Sequence, residues 1–510
     1  MRRRPVKKWF YKYAESYREH KQYDRASNVY KAGLEIFDHD KKSGLDWADM
    51  EMNERYNYEE AERILLREVR DYHRQDPEVD MKLGDLYLAW ADDGYPEKYA
   101  AAKEQYDLLV SDNQKSKHIK TYLARQMRYY IHVDDLKKVL EYKNYFYPTY
   151  IKALDYQDLT ELSGYLLDKR YGTLRPSEES LRSQVVDIRD LLDRALKANS
   201  SNPDALYNMG RYLVRTGASS EAESVFKATI DAFKKKSPRK RKDNYTYIDT
   251  YRLLGEEQVE RRAYIDAQRT YNEGIAIFEH ENASGGFTGT EKIGKLYEDL
   301  GNINYFINGD MDAALENYEK SVDNNNDSLA VRYKIGYIQY TDENYDDAWM
   351  SFNTGNELTS GQDIHTLLAL ANTLVLRGLY GPAQGYYEDL LDILKEDVSH
   401  NDIMMPQSRA DHGDLVDPYM KASNNLGVAL SRISGQSGDS DANGKAIVQF
   451  AESSRAWDAL SRNQETMIRR DTNDLGKQNS TYVVNPAYGY EPTIYSDIPK
   501  TIYEEKALGK

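Results

Sequence analysis

The sequence predicts an all-α fold, a solenoid of about ten helix-turn-helix units followed by an extended C-terminal tail. Three observations carry that expectation. An apolar residue beside a small one recurs along the chain, and an alanine follows the small residue twelve positions later with an aromatic four beyond it. Hydrophobic residues make up 40% and charged residues 30%, which suits many small solvated faces rather than one thick core. No apolar run approaches the roughly 18 residues that a membrane span needs.

The units follow in order. Near the N-terminus Phe10, Tyr13, Ala14 and Tyr17 precede Ala26 and Tyr30, and residues 58 to 69 supply a second-helix half. Leu83-Gly84 pairs with Ala102 and Tyr106 across the insert "ADDGYP", and residues 123 to 140 hold a degenerate copy on Leu123, Ala124, Leu136 and Leu140. Residues 5–150 therefore form a first run. The stretch "LLDKRYGTLRPSEESLRSQ" breaks the period, so 151–200 reads as an irregular joint or a stretched repeat. A second array covers 201–460. Its gapless copies are Gly210 with Ala222 and Phe226, Gly255 with Ala267 and Tyr271, Gly336 with Ala348 and Phe352, and Ala371 with Ala383 and Tyr387. Gly301 with Ala314 and Tyr318 carries one extra residue, and Gly427 with Ala446 and Phe450 carries the insert "SGQSGDSDANG". Residues 461–510 are rich in Pro, Tyr and Ile with no helical stripe, which predicts an extended tail.

Glycine inside a helix costs about 1 kcal/mol relative to alanine, so its repeated use at one position means that something approaches the backbone closely there. A large apolar residue, a Leu-Gly pair, an alanine and an aromatic in a unit of about 34 residues resemble the tetratricopeptide repeat over roughly residues 5 to 460. The resemblance implies two antiparallel helices per unit, small residues where their backbones meet, and aromatics filling the space against the following unit. It further implies a right-handed superhelix whose first helices line a concave, partner-binding groove.

On that reading the lining residues flank the small anchor. They are Tyr333, Tyr337 and Tyr340 beside Gly336, Tyr207 and Arg211 beside Gly210, Arg252 beside Gly255, and Asn372 beside Ala371. Tyr and Arg are enriched at binding hot spots, and three tyrosines on one stripe mark the expected contact zone. Family members that hold the acidic C-termini of chaperones use a Lys/Asn/Arg clamp on this face. The matching places here are Tyr11 and Glu15, so that role is not implied.

No catalytic residue, metal ligand set or cofactor motif emerges. "DSDANG" at 439 to 444 reproduces the first half of a calcium loop, but the twelfth position is Phe450 rather than a bidentate Glu, so it reads as a loop inserted between two helices. The nine histidines show no paired spacing. "KKKSPRKRK" reads as a solvated inter-unit loop, and a net charge of −16 argues against a nucleic-acid binder.

The function expected is a non-enzymatic scaffold that binds other proteins, further assembly subunits among them. The tail offers Tyr488, Tyr490, Tyr495 and Ile498 for docking, either along a neighbouring subunit or back on its own last units as a cap. Zero cysteines suit an oxidising compartment. The start "MRRRPVKKWF" has a basic cluster without an apolar region behind it, so it is not itself a secretory signal, and the oxidising compartment then implies a signal or membrane anchor upstream. The Tyr/Asp/Asn-rich composition is similar to that of large tetratricopeptide proteins of the bacterial cell envelope, such as the periplasmic collar proteins around spirochaete flagellar motors. That similarity implies a periplasmic, motility-related structural protein; a cytoplasmic adaptor is the alternative.

Overall fold

A computed structural model describes residues 7–461, apart from 75, 236–240, 283–289, 360, 362 and 398–408. All regular structure among the described residues is helical. Contacts divide the chain into two units, Met1–Glu257 and Gln258–Lys510.

In the first unit the helices Lys7–Glu19 and Tyr23–Ile36 open the array, followed by Lys41–Asn53 and a second helix from Tyr58 to Arg70. The pairs Pro77–Asp92 with Lys98–Asp112, and Ile119–His132 with Leu136–Phe146, continue it. The stretched region forms a further pair, Tyr156–Tyr171 and Ile188–Ala198, which pack together although a 3-10 segment, Pro176–Gln184, runs between them. Pro203–Arg215 and Ser219–Lys235 come next, and Arg241–Glu260 spans the division. Each helix pair is too thin to bury its own apolar face, so the core is a row of clusters shared by neighbours. Ala14, Ala26, Tyr30, Trp47, Ile64 and Leu83 belong to one, and Ala102, Tyr106, Tyr122 and Tyr129 to another.

The second unit repeats the scheme. Thr290–Ile303 packs on Met311–Asp323, Leu329–Thr341 on Tyr345–Leu358, Ile364–Leu376 on Tyr380–Asp397, and the long Arg409–Ser437 on Ser440–Ser461. The extra residue in the Gly301 copy is taken up by one widened π-helical turn, Asn304–Asn308, so the helices still meet in register. The long insert after Gly427 is no loop. Its first residues prolong the first helix to Ser437, Asp439 accepts from the backbone N–H of Asp441 at 2.8 Å, and its last residues open the next helix at Ser440.

Turn chemistry follows the sequence. "RTGASSEA" and "INGDMDAA" reverse through Gly217 and Gly309 at φ +78° and +67°, a region closed to most side chains, whereas "TDENYDDA" places Glu343 there at φ +61°. Asn202 accepts from the N–H of Asp204 at 3.1 Å with Pro203 in the first turn, and Asp363 accepts from that of Thr366 at 2.8 Å.

The recurring glycine has a definite neighbour. A Cβ on Gly210 would lie 2.3 Å from Phe226 Cε1, and one on Gly336 would lie 2.8 Å from the Phe352 ring. Gly84, Gly301 and Gly427 meet Tyr106, Tyr318 and Phe450 in the same way. The aromatic expected to face the following unit thus rests first on the glycine of its own unit. Phe352 then reaches onward into a cluster with Ala369 and Leu370 of the next. In these five units the ring occupies the space that a Cβ would fill.

Gly210→Ala is therefore expected to destabilise the chain by about 2 kcal/mol, because displacing a packed ring outweighs the gain of about 1 kcal/mol in helix propensity. Gly385→Ala, in an exposed helical position with nothing near its Cβ, is expected to stabilise by up to about 1 kcal/mol. Urea denaturation of the two variants checks both signs.

Candidate partner-binding faces of the first helices

The side chains beside each small anchor were expected to line a groove. In the first unit most are bound to the next first helix instead. Arg18 on the opening helix donates to Asp49 (2.7 Å) on Lys41–Asn53 and to Glu54 (2.7 Å) just after it, and Asp49 is shared with Lys82 on Pro77–Asp92. Arg125 and Arg128 reach Asp158 at 3.3 and 2.9 Å, with Arg128 also 3.2 Å from Glu161. Arg211 pairs with Asp168 while its guanidinium lies 5.4 Å over the Tyr207 ring. Tyr207 donates its hydroxyl hydrogen to Asp249 at 2.5 Å, and Arg252 donates to the same carboxylate at 2.7 Å. The result is a charged ladder, in two runs, crossing successive first helices.

Burial alone would push the Asp49 carboxyl up, but Lys82 and Arg18 hold it well below the usual carboxylate range. Burial, then Asp249, pushes the Tyr207 hydroxyl far above its ordinary value, so it is a permanent donor. Long, paired side chains of this kind fix one helix against the next.

In the second unit two expectations need correction. Tyr333 is only 2% exposed, with its ring 5.3 Å from that of Phe352, so it belongs to the core and not to a binding face. Asn372 is fully buried and accepts from the Tyr387 hydroxyl at 2.6 Å and the Asn425 amide at 2.8 Å. Tyr337 and Tyr340 remain half-buried, and Tyr340 meets Tyr345 edge-on at 5.6 Å. Of the stripe, these two stay in reach of a partner. Tyr488, Tyr490, Tyr495 and Ile498 lie outside the described residues.

Sequence reasoning missed Lys334, which is 1% exposed on the helix that carries the stripe. Its ammonium donates to Glu298 at 3.0 Å and Asn302 at 2.8 Å, and Tyr318 donates to the same Asn302 oxygen at 3.0 Å. Burial raises the Glu298 carboxyl, yet Lys334, Asn326 and Lys295 outweigh it and bring it down to about 2. A lysine among apolar residues is ordinarily a surface residue, so its spacing carried no signal.

The stretch 439 to 444, read from the sequence as an inserted loop and not a calcium site, instead starts a helix: Asp439 is spent on the helix N-terminus and Asp441 pairs with Lys445 at 2.9 Å. Among the described residues no three His, Asp or Glu side chains are grouped to hold a metal, and no helix is long and apolar enough to cross a membrane.

Comparison with known proteins agrees with the repeat assignment. Residues 189–237 match the tetratricopeptide repeat family model. That stretch carries a tetratricopeptide repeat. No curated protein matches its sequence. Among solved structures, Pseudomonas aeruginosa PilF is 15% identical, with a TM-score of 0.33, over 46% of this chain and 91% of that one. MamA is 16% identical, with a TM-score of 0.30, over 39% and 95%. Yeast Tom70 is 14% identical, with a TM-score of 0.32, over 94% and 98%.

The buried Lys334–Glu298 pair makes these helices sensitive to acid. A carboxyl lowered from 4.5 to about 2 contributes its stability above the unfolded value and loses it as pH falls from about 5 towards 2. Glu298→Gln is expected to cost about 3 kcal/mol at pH 7, because Lys334 is left buried without its counter-charge, and to flatten that acid limb. Adding Lys334→Met should recover most of the loss. Denaturant unfolding at pH 7 and pH 3 measures all three chains.

Proposed function

We propose that this tetratricopeptide chain is a non-enzymatic scaffold, a structural component of a multiprotein assembly in the bacterial cell envelope. The observation that carries the scaffold reading is the division of labour on the first helices. Many of their charged side chains hold neighbouring helices together, and Tyr337 and Tyr340 stand half-buried beside them. Two half-buried tyrosines suit a protein partner, since tyrosine combines an apolar body with a polar tip. The periplasmic placement rests on the absence of cysteine from 510 residues. The motility reading, a collar subunit around a flagellar motor, rests on the Tyr/Asp/Asn-rich composition and is the narrowest part of the proposal. An upstream signal or single membrane span in the native reading frame supports the envelope placement, and its absence moves the scaffold to the cytoplasm.

A photo-crosslinking residue in place of Tyr337 or Tyr340, in the source cell, is expected to trap another polypeptide. The same residue in place of Glu316, 65% exposed on a second helix, should trap none. Equal trapping at all three positions, or none at any, removes the tyrosine face from the proposal.

A further inference from the structure

Each first helix has a face turned towards the unit before it. It is marked by the residues five and one positions ahead of the small anchor, because these pack on the preceding second helix. Val79 and Leu83, Ala205 and Met209, and Val331 and Ile335 are all no more than 4% exposed. The pattern holds at every unit with an intact Leu-Gly or Leu-Ala anchor, and the degenerate copy keeps its pair half-buried. In the opening helix the same two positions are Trp9 and Tyr13, and they are 57% and 58% exposed.

The opening helix presents there a tryptophan and a tyrosine one turn apart, with Lys8 and Lys12 exposed among them and the Lys12 ammonium 5.4 Å over the Trp9 ring. It is the inter-unit seam of the array, aromatic and ringed by positive charge, with no preceding second helix among the described residues to cover it.

The chain supplies a segment of matching chemistry. After Ser461 it runs on for 49 residues, and 480 to 505 hold Tyr482, Tyr488, Tyr490, Tyr495 and Tyr503 with four carboxylates against one lysine. Acidic and aromatic complements basic and aromatic. We propose that residues 480–505 of a second copy of this chain dock on the outer face of the opening helix, across Trp9 and Tyr13, joining copies head to tail. Docking between copies makes the mass depend on concentration, which a tail folded back on its own chain does not. Such a contact is heterologous, so it closes into a ring or grows into a filament. The proposal deepens the scaffold reading and rests on it.

Light scattering of the intact chain across a hundredfold range of concentration tests it, beside Trp9→Ser/Tyr13→Ser and Tyr488→Ser/Tyr490→Ser/Tyr495→Ser. The first variant alters residues exposed on a helix and the second alters residues outside the described ones, and circular dichroism checks that helicity is kept in both. The wild-type mass is expected to climb from 59.1 kDa to at least twice that, and both variants to stay at 59.1 kDa throughout. Raising salt to about 0.5 M should shift the wild-type midpoint at least threefold towards higher concentration, because the lysine contribution is screened. A wild-type chain that stays monomeric overturns the proposal, which covers the case of a tail folding back on its own chain. So does association that survives the Trp9→Ser/Tyr13→Ser change. Either result leaves crosslinking at Tyr337 and Tyr340 untouched, so the scaffold reading stands or falls separately.

Discussion

The contact on which the array depends is the aromatic ring lying on a glycine. In five units a Phe or Tyr of the second helix is seated within 3 Å of where the glycine of the first would carry a Cβ. That seat brings the two helices to one separation and one rotation, because a ring on a flat backbone has few places to sit. Once the pair is set, its outer surfaces are fixed and the next unit has a defined surface to pack on. Twelve residues between glycine and alanine is the spacing that closes the turn and returns the second helix to the first. Where the chain departs from twelve, the geometry is repaired locally, by a π-turn at Asn304–Asn308 and by an overlong first helix ending at Ser437. The contact survives both repairs.

The second constraint runs across units. Apolar clusters between thin helix pairs are permissive about sliding, since one leucine replaces another with little change in energy. Charged and hydrogen-bonded pairs between successive first helices are not permissive. Arg128 on Asp158, Tyr207 on Asp249 and Lys334 on Glu298 each require one axial position. Buried ion pairs add little net stability, so their effect here is on register rather than on depth of the energy well. A scaffold whose helices cannot slide presents the same surface to every partner.

These constraints explain what the sequence disclosed. The small-residue and aromatic positions are local, periodic and chemically narrow, so ten units could be read from spacing alone. The faces of the first helices could not. Tyr333, Tyr337 and Tyr340 lie on one stripe by helical arithmetic, but a stripe wide enough for three rings straddles the boundary between an open face and the seam with the second helix. Tyr333 falls on the inner side of it, against Phe352, and the other two do not. Asn372 resembles a groove asparagine by position, yet two partners distant in sequence, Tyr387 and Asn425, bury it. Lys334 was invisible for the converse reason: its burial is made tolerable by Glu298, thirty-six residues away, and no local pattern reports such a partner.

The same reasoning separates the interior units from the opening one. In the interior units a first-helix position five or one ahead of the anchor is buried because the neighbour covers it, and its chemistry says nothing about function. On the opening helix no second helix among the described residues covers those positions. Trp9 and Tyr13 therefore carry information that Val79 and Leu83 do not, although the four occupy equivalent places. An exposed aromatic pair there costs solubility in the isolated chain, a cost that an interior residue never meets. In a repeat protein, then, the functional signal is sought where the repeating pattern persists after its structural cause has ended.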